Sequence, residues 1–123
     1  MYFGGIFNLY IEIFRNLQPG ATPSAVAQTH GHVGDAHYEE AMRCKEGDPN
    51  RTANLTAAMT HLSKCLHLHK QNLHDDHVAA ADVLCRVGDV HLALGEVEPA
   101  VTCYVVSHSK LERKFFLTPN FLL

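Results

Sequence analysis

The sequence predicts an all-α protein: antiparallel helix pairs forming a short α-α solenoid. Three observations predict it. Apolar residues recur at three- and four-residue spacing, and no stretch alternates as a half-buried strand does. Turn-forming breaks at Pro19-Gly20, Gly47-Asp48-Pro49-Asn50 and Gly95 cut the chain into helix-sized lengths. Two short sequences also recur in the same order along the chain, as a repeated helix pair requires.

The elements follow in order. Between Tyr2 and Leu17, the residues Phe3, Ile6, Phe7, Tyr10, Ile13, Phe14 and Leu17 share one helix face. The run from Gln18 to Pro23 breaks that helix. Thr22 suits an N-cap, with Pro23 at the first helical position, for a second helix to about Lys45. Gly47 to Asn50 stops it. A third helix is expected over about Thr52 to Leu73. Asp75 or Asp76 caps a fourth from His77 to Leu94, which Gly95 ends. A fifth starts near Val97, tolerates Pro99 in its first turn and runs to about Arg113. The organisation expected is an N-terminal amphipathic helix and break over 1–20, two helix pairs within 21–113 (about 22–73 and 77–113), and an apolar tail over 114–123.

With 46% hydrophobic and 19% charged residues, the 123-residue chain has the composition of one folded domain. A net charge of -3 supplies no basic patch for phosphates, so no nucleic-acid partner is expected. Cys44, Cys65, Cys85 and Cys103 are spaced about one per helix, without a Cys-x-x-Cys pair. They read as free thiols in a reducing compartment. The N-terminal stretch lacks a basic leader and carries Glu12 and Arg15. Neither a signal peptide nor a membrane span is expected, a cytoplasmic location is, and the sequon at Asn54 is expected to stay unmodified.

Val33-Gly34-Asp35-Ala36-His37 recurs as Val87-Gly88-Asp89-Val90-His91, and Ala58-Met59-Thr60-His61-Leu62 recurs more loosely as Ala100-Val101-Thr102-Cys103-Tyr104. The first pair holds extra length, which Cys44 to Asn54 accommodates. These residues resemble the tetratricopeptide repeat over roughly residues 22–113. Leu84, Val87, Gly88 and His91 match its first-helix large, large, small and aromatic positions. Gly95 matches its turn, and Ala100, Tyr104 and Ser107 match its second-helix small, aromatic and small positions. His91 departs from the usual Tyr, and Glu112 from the usual Pro. The 42-residue spacing and the approach sequence His74-Asp75-Asp76-His77-Val78-Ala79 look like the longer repeats of kinesin light chain-type adaptors.

The resemblance implies a protein-binding scaffold or adaptor. Stacked pairs form a concave surface lined by their first helices. The family's lining positions fall on Asp82, Cys85, Asp89 and Leu92 in the second copy, and on Gln28, Gly31, Asp35, Tyr38 and Glu39 in the first. Asp35, Glu39, Asp82 and Asp89 make this groove acidic, with no base among the lining residues. The partner implied is a protein or peptide segment carrying Lys or Arg and an apolar anchor. Self-association through apolar ends is a further expectation, as is origin in a longer repeat array.

The 10 histidines need their own account. His61, Cys65 and His69 fall on one helical stripe and are zinc-ligand types. The repeat match places Cys65 near the packing face, so packing rather than a metal is expected there, and no cofactor is expected. His37 and His91 occupy equivalent positions and are expected to pack. No Gly-x-Ser-x-Gly, phosphate loop or His-Glu-x-x-His is present, so an enzyme is not expected. The alternative to a scaffold is a small His-rich helical domain that binds a metal ion or responds to pH.

Overall fold

The computed structural model describes residues 9, 11–13, 15–16, 18–72 and 77–116, with side chains for all of these except 72, 77 and 113–116. Four helices are fully bounded: α1 (Pro23–Arg43), α2 (Pro49–Asn72), α3 (His77–Ala93) and α4 (Val97–Phe116). Residues 9, 11–13 and 15–16 are also helical, and the described residues contain no strand. The remainder of the N-terminal helix expected up to Leu17, the expected helix end at Leu73 and cap at Asp75 or Asp76, and residues 117–123 of the expected tail lie outside the described residues. No described helix is long and apolar enough to cross a membrane.

Local chemistry sets the boundaries. Thr22 caps α1 as expected: its Oγ1 accepts from the Ala25 amide at 3.1 Å, and Pro23 occupies the first turn. The helix ends at Arg43, short of the expected Lys45, because Cys44 is extended at φ -81 and ψ 148. Pro49 starts α2 ahead of the expected Thr52. Asp48 Oδ1 accepts from the Asn50 amide at 2.9 Å, and a proline at the first position loses no intrahelical bond. What reads as a stop is therefore also a start. Gly95, at φ 80, closes α3 in a Schellman turn. There the Glu96 amide donates to His91 O at 2.9 Å and the Gly95 amide to Leu92 O at 3.0 Å. The last helix runs past Arg113 to Phe116, so the first residues of the expected tail, 114–116, are helical.

α1 runs antiparallel against α2, and α3 against α4; α2 packs on α3, and a lighter contact joins α1 to α3. The core is one cluster of Ala27, Ala41, Leu55, Ala58, Leu62, Cys65, Val83, Val87 and Val90. Each large aliphatic side chain buried there contributes about 1.5–3 kcal/mol. Small residues set how closely the helices approach. A Cβ at Gly34 would stand 2.7 Å from Leu62 Cγ, and one at Gly88 2.8 Å from Tyr104 Cε1. On its outer side α4 exposes Val97, Val101 and Val105.

Gly34→Ala tests the close approach. Alanine gains about 0.5–1 kcal/mol of helix propensity but must displace a buried leucine, an overpacking cost of about 1–3 kcal/mol. Denaturant titration should show a net loss of about 1 kcal/mol. The double variant Gly34→Ala/Leu62→Ala should be less destabilised than the two single losses added together.

Candidate functional site

The residues expected to line a groove lie on α1 and α3, which touch lightly, and the central feature between them is a cation that the acidic reading left out. Arg86 of α3 donates through one nitrogen to Asp35 Oδ2 of α1 at 2.7 Å and through the other to Asp82 Oδ2 on its own helix. Asp35 and Asp82, two of the four expected groove acids, are thus engaged by an internal guanidinium. Arg86 is neither deeply buried nor free, with a third of its side chain exposed.

Burial pushes the Asp35 carboxyl up, and the neighbouring Arg86 only partly counters this. For Arg86, burial works downward, but the bonds to Asp82 and Asp35 outweigh it and the net shift is upward. Arginine is charged in either case, so the Asp35 balance is the informative one. At Asp35 the ion pair does not fully offset the cost of burying the carboxylate.

The other lining positions divide by environment. Asp89 Oδ1 accepts from the Tyr104 hydroxyl of α4 at 2.5 Å. Leu92, Gln28 and Glu39 are exposed; Tyr38 is half-buried against the core. Gln28 lines a shallow cleft with Ile11, Glu12, Arg15 and His32. Described N-terminal residues flank this end of the groove, through Asn16 Nδ2 donating to Thr29 Oγ1 at 2.5 Å and Glu12 meeting His32 at 2.7 Å. Gly31 is buried under Cys65 and Arg86 and offers no lining atom. Cys85 lies 3.1 Å from Ser107 Oγ. Because Ser107 donates to Ala81 O at 2.8 Å, the Cys85 thiol is the donor of that contact.

The expected His61, Cys65 and His69 stripe does not converge on one point. His61 turns to α1, where its Nδ1 meets His30 Nδ1 at 3.0 Å. Its ring also stacks with His37 at a centroid distance of 6.0 Å. Cys65 is buried against Gly31, and burial pushes its thiol up. His69 buries an Nδ1 that has no hydrogen-bond partner among the described residues. No group of three His, Cys, Asp or Glu side chains among the described residues is placed to hold a metal ion. The equivalent histidines play similar parts: His37 bonds Asn54 Oδ1 at 2.9 Å, and His91 bonds Glu96 Oε1 at 3.0 Å.

Arg86 and His30 are the residues that sequence reasoning missed. Arg86 had a signal: it stands one turn after Asp82 and just before Asp89, on the same stripe. His30 had none, because its partner His61 belongs to another helix. No family model, curated protein or solved structure matches this chain.

Two measurements follow. Arg86→Met keeps most of the aliphatic stem and leaves Asp35 without its cation. The expected loss is about 1 kcal/mol at low salt and less in about 1 M salt, read from unfolding midpoints. The bond to Asp89, with the carboxylate charge beside it, pushes the Tyr104 phenol up to about 12. Since its folded value is raised, the stability this bond confers is complete below about 10, the ordinary tyrosine value, and is lost as the pH rises through about 12. Ultraviolet titration should find one phenol ionising near 12, absent in Tyr104→Phe and moved back toward 10 in Asp89→Asn.

Proposed function

We propose that the chain is a protein-interaction scaffold or adaptor: a short tetratricopeptide-like solenoid, acting in the cytoplasm, that holds a partner segment along the face shared by α1 and α3. The observation that carries this reading is the placement of the lining positions. Asp82, Asp89, Leu92, Glu39 and Gln28 are exposed on these two first helices, which Arg86 joins through Asp35. The family resemblance supports it through Gly34, Gly88 and Ala100, the small residues at which the helices meet.

Arg86 refines the chemistry of the ligand. Asp35 is already spoken for, and the outward carboxylates are Asp82, Asp89 and Glu39, with Leu92 as an apolar neighbour. A segment carrying Lys or Arg beside one apolar anchor complements that face. Arginine in the ligand also competes with Arg86 for Asp82, the more exposed partner of the clamp.

Fluorescently labelled peptides of Lys/Arg-Leu and Glu-Leu composition, titrated against the protein at low and high salt, test the proposal. Basic peptides should bind, salt-sensitively, and Asp82→Lys/Asp89→Lys should weaken them by about tenfold or more. Preferential binding of the acidic peptides, or indifference to the reversal, overturns it.

A further inference from the structure

Across the seam between α1 and α2, the imidazoles of His30 and His61 meet through their Nδ1 atoms at 3.0 Å, with ring centroids 5.3 Å apart. Two lone pairs do not attract at that distance, so one Nδ1 carries hydrogen and the other receives it. One proton held between two rings makes the contact. The pair has one unused basic nitrogen, the Nε2 of the donor ring. A proton there gives a charged donor facing a neutral acceptor, and the contact survives. A second proton must go to the accepting Nδ1 itself. Two N–H groups and two positive charges then face each other, and the rings must part.

We propose that the His30–His61 contact is a proton-operated latch between α1 and α2, closed at neutral pH and opened by acidification. The surroundings favour opening rather than resisting it. On α2, the charged neighbour is Lys64, which acts on both rings to disfavour a further positive charge. On α1, the next titratable ring is His37, stacked with His61 at an interplanar angle of 9° and bonded to Asn54. On α3, the charged group turned toward α1 is Arg86, whose guanidinium is engaged by Asp35 and Asp82. Among the described N-terminal residues, Glu12 is occupied by His32. No carboxylate among these neighbours is left to offset an imidazolium at the seam.

Burial first, then the neighbouring positive groups, hold both rings below the ordinary histidine value of 6.5. The folded seam therefore takes up protons less readily than the opened one. Its stability is complete above about 6.5 and falls as the pH drops through 6.5 toward the folded values. The coupled pair titrates as a unit rather than as two independent rings. The resulting change concerns the α1–α2 hairpin. The α3–α4 pair is held by Gly88 against Tyr104 and by Ser107, with no imidazole pair among its described side chains.

Two readings on the intact chain test the latch. Imidazole resonances followed by NMR should show His30 and His61 titrating together, with midpoints below 6.5. Hydrogen exchange, corrected for its intrinsic pH dependence, should show the α1–α2 opening constant rising by up to about tenfold per pH unit for each proton taken up, while α4 stays protected. His61→Gln should flatten that rise, whereas His108→Gln, at an exposed position, should keep it. Independent titration of the two rings at or above 6.5, or an unchanged slope in His61→Gln, overturns the proposal. If His61→Gln does not fold at neutral pH, the NMR titration of the unaltered chain decides alone.

Discussion

Two glycine contacts, Gly34 under Leu62 and Gly88 under Tyr104, determine how close the two helices of each pair lie, and the packing of each pair depends on that distance. Had either glycine carried a methyl group, the paired helix would have to move away or its large side chain would have to turn out. The seam would then be too wide for the buried alanines on either side, Ala27, Ala41 and Ala58 in the first pair and Ala100 in the second. Close packing of small residues also decides what reaches the surface. Within the first pair it brings His61 to His30, and Gly31 leaves the room beside which Arg86 of α3 reaches Asp35 on α1.

The two pairs solve the same packing problem with different chemistry. At the position one turn after the small alanine, the first pair places leucine and the second tyrosine. Leucine has no polar end, so the aspartate after Gly34 turns elsewhere and is met by Arg86. Tyrosine has a hydroxyl, and the aspartate after Gly88 receives it. Further along, Cys65 under Gly31 has its counterpart in Ser107 beside Cys85. The histidines repeat as well, each bonding a polar side chain near the start of the second helix. A repeat faint in sequence is clearer in its contacts, because packing conserves volume and position while allowing the polar partners to change.

What was legible in the sequence was whatever depends on near neighbours in the chain. Thr22 with Pro23, and Gly95, mark helix ends through local bonds, and both were readable. Pro49 was misread because proline is compatible with both an end and a beginning. Only the Asp48 carboxylate on the Asn50 amide decides between them. The internal repeat gave Gly34 and Gly88 their meaning. Charge was less legible than packing. A list of lining residues fixes which acids are present but not which distant base will find them, and Arg86 reaches Asp35 only once two helix pairs have stacked. The histidine stripe shows the same limit: His61, Cys65 and His69 share a face of one helix, yet His30 and Gly31 of another helix are what meet His61 and Cys65.

The chain has no tryptophan, so its intrinsic near-ultraviolet emission comes from tyrosine alone. Tyr104, with its hydroxyl held by Asp89, has a carboxylate positioned to accept its proton in the excited state, and such a phenol emits weakly. Loosening the α3–α4 pair removes that quencher, while loosening α1–α2 leaves it in place. The difference between leucine in one seam and tyrosine in the other thus makes the Tyr104 share of the emission report on one half, rising when that half opens, over a background from the other three tyrosines.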